Sequence, residues 1–163
     1  MIPRFPAAEP FKRRAYRHSG MVRSLPTKPR RVIVARLEPG EDVLETIEKV
    51  AANHGIRTAS LTGIGALSKA KLAFFDRSSR SYREVSIDKD LEIVSCIGNV
   101  CMNEGKPMVH AHMSVADESG NCYGGHLRAG CQVSVTMELF LVEVAEEISR
   151  EKDSATGLNL MNV

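Results

Sequence analysis

The sequence predicts an α+β domain in which a mainly antiparallel sheet of about seven to eight β-strands packs on one main helix. Three observations carry that expectation. Only the segment around residues 42–55 repeats apolar residues at helical spacing. Eight other segments alternate or run apolar over strand lengths, separated by a few residues rich in Gly, Ser, Asp, Asn or Pro. Connections that short join antiparallel neighbours, because a parallel pair needs a crossover of about a dozen residues or more.

Taken in order, "RVIVARL" (31–37) sets Val32, Val34 and Arg36 against Ile33, Ala35 and Leu37, the alternation of a strand. After the turn "EPGED", Val43, Leu44, Ile47, Val50 and Ala51 form the apolar stripe of a helix. Glu41 and Asp42 suit its positive N-terminus, and Gly55 suits the position just past its end. Strands follow in "IRTASLTG", "ALSKAKLAFFD", "SYREVSID", "LEIVSCIGNVCM", "MVHAHMSVAD", "NCYGGHL" and "CQVSVTMELFLVEVA". The stretch "TGIGALS" invites a dinucleotide-binding reading, but Ser68 stands where a third glycine is needed and "KAKLAFF" alternates like a strand. Gly63 and Gly65 therefore read as a bulge or sharp bend between strands. The closing "SREKDSATGLNLMNV" is too polar and broken for core and reads as a C-terminal arm.

At 163 residues and 43% apolar composition, the chain has the size of one domain and no apolar run long enough for a transmembrane helix, so no membrane partner is expected. Four cysteines (Cys96, Cys101, Cys122, Cys131) include no C-x-x-C pair and read as reduced and buried. The basic N-terminus lacks the apolar region of a secretory signal, so a cytoplasmic location is expected. Residues 1–31 hold nine of the 22 Lys and Arg but one of the 20 acids, so a tail of about +8 precedes a body of about −6. The tail also holds five of the seven prolines. Residues 1–30 thus read as a basic, Pro-rich N-terminal tail and 31–162 as the domain. Lys12, Arg13, Arg14, Arg17, Lys28, Arg30 and Arg31 are candidate contacts to nucleic-acid phosphates. A solvated extension or a targeting segment would have the same composition.

Chemistry concentrates in "MVHAHMSVADESGNCYGGHL". Side chains two apart on a strand share a face, which puts the Cβ atoms of His110 and His112 roughly 6.5–7 Å apart. If Glu118, Ser119 and Gly120 form a three-residue loop with Gly120 left-handed, Asp117 pairs with Asn121 and His126 falls opposite His112. Facing residues lie on the same side of the sheet, about 4.5–5.5 Å apart at Cβ. A two- or four-residue loop would send His126 to the other face. Three neutral imidazoles suit Zn²⁺, and also Fe, Ni or Co, and leave one coordination position open for water or a small molecule. The alternative is three hydrogen-bonded histidines at a sheet surface or subunit contact. His18 and His54 read as solvated or capping residues. Glu138, in phase with Ser134 and Thr136, is a candidate general base or fourth ligand, or equally a strand-edge carboxylate. No serine has a G-x-S-x-G context, and Cys122 is too far from His126 along its strand to act as a nucleophile.

The segments "PGEDVLETI", "SLTGIGALSKAKLAFFD", "IVSCIGNV", "HAHMSVADESGNCYGGHL" and "TGLNLM" resemble, in this order, the PPC (plant and prokaryote conserved) domain. The resemblance spans about residues 31–162. It implies an α/β domain with a mainly antiparallel sheet, similar in fold to acetolactate decarboxylase, assembled as a homotrimer. It also implies a transition metal on His110, His112 and His126. Plant relatives attach the domain to AT-hooks, and stand-alone prokaryotic members are described as candidate DNA-binding proteins. The AT-hook core Arg-Gly-Arg-Pro is absent here, and "TKPRR" (27–31) lacks its glycine. Two functions follow as expectations. One is a DNA-binding or regulatory homotrimer that reaches DNA through its basic tails. The other is a metal-dependent enzyme acting on a small carbonyl or carboxylate metabolite, with Glu138 as proton acceptor. A trimer whose histidines only hold subunits together is the third possibility.

Overall fold

In the computed structural model, which describes residues 22–163, a single helix is followed by strands that curl back on themselves. The elements are β1 (Pro29–Leu37), α1 (Val43–Asn53), β2 (Ala59–Asp76), β3 (Ser81–Asn103), β4 (Lys106–Ala116), β5 (Cys122–Leu127), β6 (Gln132–Val144), β7 (Ser149–Lys152) and β8 (Asn159–Asn162). β1 opens at Pro29, so the last residues assigned to the tail already belong to the sheet.

α1 forms where its apolar stripe and caps agree. Asp42 is the N-cap, its Oδ1 accepting from the Glu45 N–H at 3.0 Å. The same carboxylate takes the Gly130 N–H at 2.5 Å, which ties the helix start to the entry of β6. His54 is the C-cap, and Gly55 turns the chain at φ +63°. Val43, Thr46, Ile47 and Ala51 are buried, and the helix packs against β1, β4 and β6.

Eight strands are present, as expected, but they are not the expected eight. "IRTASLTG" and "ALSKAKLAFFD" run on as one strand, β2, and "SYREVSID" and "LEIVSCIGNVCM" as another, β3. The glycines bend β2 without breaking it: its register shifts against β3 between Gly63 and Gly65 and again between Leu67 and Lys69. Gly65 is required there, since a Cβ would lie 2.2 Å from the Thr136 carbonyl oxygen of β6. In β3 the polar run Asp88-Lys89-Asp90 faces solvent and keeps its ladder, with Asp88 opposite Lys69. The remaining two strands come from the segment read as a polar arm. β7 and β8 pair as a hairpin, and β7 lies beside β3 in parallel, Met102 against Ser149.

Topology also departs from an open sheet on a helix. One edge of β2 pairs with β3, and the other pairs first with β6 (59–69) and then with β5 (Leu72, Ala73). Because β5 pairs with β4 and β4 with β3, the ring β2-β5-β4-β3 closes into a barrel. β6 and β1 extend the sheet from the barrel wall. Closure was hidden in the sequence because a strand long enough to serve two neighbours on one edge read as two strands.

Alternation sorts the strands into two faces. Leu37, Ile47, Leu61, Leu67, Val109, Met113, Met137, Leu139 and Leu141 interlock on the inner side with 1% exposure or less, save Val109 at 5%. Each such side chain contributes about 1.5–3 kcal/mol by leaving water. On the other side Val32, Val34, Ile64, Ile97 and Phe140 are exposed. Cys96, Cys101 and Cys131 are buried thiols as expected, with burial pushing Cys96 up to about 12 and Cys131 up to about 11. Cys122 is exposed, contrary to expectation, because β5 lies over the hairpin turn at that end. Among the described residues no helix is long and apolar enough to cross a membrane.

Gly98 fixes how closely β3 and β4 approach. A Cβ there would lie 2.3 Å from the His110 carbonyl oxygen and 2.6 Å from the Ala111 Cα, so the β4 backbone itself would have to move. At Gly124 a Cβ meets nothing closer than 3.5 Å. Gly98→Ala is therefore expected to cost about 1–3 kcal/mol as overpacking, and Gly124→Ala much less. Urea midpoints with unchanged slopes would read the difference; equal midpoints would show that the close approach at Gly98 is not needed.

Candidate metal centre

The β4–β5 hairpin is built around Asp117. Its Oδ1 accepts the backbone N–H of Ser119 and of Asn121, each at 3.0 Å. Its own N–H reaches the Asn121 carbonyl at 3.1 Å, and its carbonyl takes the Gly120 N–H at 2.9 Å. Gly120 stands at φ +79°, which closes Glu118, Ser119 and Gly120 as the expected three-residue loop. Lys89 Nζ (2.7 Å) and the Tyr123 hydroxyl (3.2 Å) converge on Oδ2. The Lys89 ammonium, with the Asn121 and Ser119 donors, holds the Asp117 carboxyl well below the usual carboxylate range.

With that turn fixed, Ala116 faces Cys122 and the ladder runs to His112 opposite His126. His110 lies on the same face two residues earlier, while Val109, Ala111 and Met113 between and beside them point into the core. Ring centroids are 5.4 Å apart for His110 and His112, 5.1 Å for His110 and His126, and 5.6 Å for His112 and His126. One nitrogen from each imidazole lies within 4.8 Å of the others. Three nitrogens on a tetrahedral Zn²⁺ stand about 3.4 Å apart, given bonds of about 2.05 Å. Small side-chain rotations close that gap, so the residues fit an ion.

Surroundings favour the neutral, ligating form. Burial lowers the affinity of His110 for a proton, with Arg150 and His112 adding to it. For His126 burial, then His110, His112, Arg128 and Arg150, brings the value down to about 4. The Tyr82 ring stacks on His126 at 4.9 Å and 30°, backed by Phe75 at 5.2 Å and by the Arg128 guanidinium 5.4 Å from the Tyr82 centroid.

Other expected residues lie elsewhere. Glu138, on β6, is in register with Arg36 and Ile64 and lines a shallow groove with Thr62, Ser95, Ile97 and Phe140. β2 and β3 separate it from β4, three strand spacings or about 14 Å. Lys28 and Arg30 are exposed, but Arg31 is engaged: its Nε donates to Glu143 Oε2 at 2.6 Å and its Nη2 to the His54 carbonyl at 2.5 Å. That bond also bears out the capping role of His54. Lys12, Arg13, Arg14, Arg17 and His18 lie outside the described residues.

Sequence reasoning missed Arg150. It is only 8% exposed, and its Nη1 donates to the Asn159 carbonyl at 2.9 Å and its Nη2 to Asn99 Oδ1 at 2.6 Å. Asn99 is the cross-strand partner of His110. Nothing in "SREK" signals burial, because the residue that receives this arginine stands 51 positions earlier in the chain.

Comparison with known proteins places this architecture. A PPC protein from Pyrococcus horikoshii is 34% identical, with 88% of this chain and 98% of that one aligned at a TM-score of 0.80. A metal-containing protein from Archaeoglobus fulgidus is 30% identical over 87% of this chain and all of its own (100%), with a TM-score of 0.81. A "Putative DNA-binding protein" from Ralstonia eutropha JMP134 is 28% identical over 80% and 90%, with a TM-score of 0.72. Among curated proteins, a bifunctional protein GlmU of Synechococcus (strain JA-3-3Ab) is 34% identical over 155 residues, 94% of this chain. The chain spans only about a quarter (24%) of that relative's length. Residues 25–145 match the Plants and Prokaryotes Conserved domain, and the chain belongs to that family.

Proposed function

We propose that this chain is a divalent-metal-binding protein in which His110, His112 and His126 hold Zn²⁺, or Fe, Ni or Co, with one coordination position left for a small molecule. The convergence of three imidazole nitrogens within 4.8 Å carries the reading. Support comes from the A. fulgidus relative, which is described as metal-containing. An ion bound there would polarise a carbonyl or carboxylate in the open position. The chain's own part is to present neutral imidazoles on a rigid hairpin and to stack His126 on Tyr82. With Glu138 three strands away, no carboxylate among the described residues joins the three histidines. Ligand binding is thus better supported than proton-transfer catalysis.

Self-association, as a homotrimer, is part of the same proposal. Val34, Phe140, Thr62, Ile97 and His112 follow one another across β1, β6, β2, β3 and β4 in register. Of these, Val34, Phe140 and Ile97 are exposed apolar residues, so a hydrophobic row that no other described residue covers leads to the histidines.

DNA contact through the N-terminal tail is a second reading, favoured by the nine basic residues among 1–31 and by the name of the Ralstonia relative. Arg31 contributes least to it, being paired with Glu143. Three tails on one assembly would supply affinity that one lacks.

Three outcomes test these readings. Metal analysis and calorimetry should find one divalent ion per chain, with affinity at least about tenfold weaker in His112→Ala; undiminished uptake would remove the centre. Deleting Ser119 leaves every histidine in place but shortens the loop, which turns His126 to the other face. Metal affinity should then fall as far as in His112→Ala in a protein that still folds by circular dichroism; retained affinity would mean that the register is not what assembles the site. For DNA, fluorescence anisotropy should show binding that weakens more than about tenfold between 50 and 200 mM salt and is lost without residues 1–30. Equal affinity of full-length and truncated protein would sink that reading.

A further inference from the structure

Arg150 is a buried cation without an anion. At 8% exposure its hydrogen bonds go to neutral groups, the Asn159 carbonyl and Asn99 Oδ1, with the Cys101 thiol beside it, and its Nε has no partner. No ion pair among the described residues includes it. A charge held out of water in this way is costly unless something compensates it. Asn99 stands directly across from His110, so the guanidinium lies beside the histidine cluster, and its charge acts on both His110 and His126.

The deficit grows when the centre is occupied. Three neutral imidazoles bring no negative charge to a divalent ion, and among the described residues no carboxylate joins the cluster. Ion and guanidinium together would concentrate three positive charges in a half-buried site. A water or a neutral molecule in the open position leaves that charge in place. An anion removes part of it.

We infer that Arg150 is the ligand-selecting residue of the histidine centre, anchoring a small carboxylate whose oxygen takes the open position on the metal. The inference rests on the metal reading above and adds the chemical class of the ligand. Five N–H groups belong to a guanidinium, and Asn159 and Asn99 use two of them. The Cys101 thiol lies beside the guanidinium as well, and the donors still free can present the two-pronged edge that a planar carboxylate accepts. The arginine is held for this by the β7–β8 hairpin, whose strand β7 borders β3 just past Asn99, at Met102. That gives the C-terminal hairpin a task beyond closing the barrel edge.

Cobalt-loaded protein tests the assignment, because Co²⁺ bound by three imidazoles reports its remaining ligand in visible absorption. Sodium acetate is titrated at constant ionic strength into the wild type, Arg150→Gln and Arg150→Lys. Expected are an acetate-dependent band shift in the wild type, at least tenfold weaker acetate binding in Arg150→Gln, and an intermediate affinity in Arg150→Lys. Cobalt uptake should be no weaker in Arg150→Gln, since the change removes a like charge beside the ion; a purely structural arginine would instead weaken uptake and acetate binding together. Equal acetate affinity in wild type and Arg150→Gln overturns the inference and leaves the metal centre standing. Failure of the wild type to take up cobalt overturns both. Should both variants misfold, a crystal structure of cobalt-loaded wild type with acetate decides: a carboxylate oxygen within hydrogen-bond distance of the guanidinium supports the assignment, and one turned away refutes it.

Discussion

Side chains on a strand alternate with period two, so the number of residues in the β4–β5 loop decides which face His126 occupies. The Asp117 carboxylate sets that number. It collects the Ser119 and Asn121 amides, Lys89 and Tyr123, while Gly120 takes the one left-handed conformation the loop requires. The convergence of the three histidines follows from this turn, because His110 and His112 share a face by alternation and His126 joins them only in this register. A lysine that reaches it from β3 stabilises the charge of that acid.

Barrel closure makes the hairpin a rigid platform. β4 is bound on one side by β3 and β5 is bound on its far side by β2, where Ala73 faces His126. The close approaches at Gly98 and Gly125 bring these backbones together without side chains between them. On the inner face Val109, Ala111, Met113 and Val115 lock β4 into the core. The outer face is then free to carry imidazoles whose positions are fixed by backbone ladders, with Tyr82 the main side chain that orients one of them. Such positioning by strands, more than by hydrogen bonds to each ring, suits a centre whose ligands need an open side.

Local rules made much of this legible. The helix, its Asp42 cap and Gly55 end, the strand content and the three-residue loop all depend on residues close in sequence, and the structure agrees with each. What escaped depends on distant partners. Gly63 and Gly65 read as a bulge or sharp bend between two strands; the bulge is there, but it lies within one continuous strand, where the β6 backbone comes close enough to admit no side chain. Lys89 and Asp90 read as the gap between two strands, yet the ladder continues through them, with Asp88 opposite Lys69. The C-terminal segment read as a polar arm because its burial is supplied by β3, about fifty residues earlier, and no periodicity within "SREK" can register that.

Glu138 and Arg150 show what this means for chemistry. A glutamate interrupting an apolar strand drew attention as a base, and an arginine in a polar segment drew none. Topology reverses their weight: β6 holds Glu138 three strands from the histidines, while β7 places Arg150 beside Asn99 and hence beside His110. A centre with a base next to it is arranged to move protons. One with a buried guanidinium and no carboxylate is arranged to attract and hold an anion, and to draw electrons from whatever oxygen that anion offers the metal. If a carboxylate binds as proposed above, the arginine, and not the glutamate, is the charged residue that decides what enters.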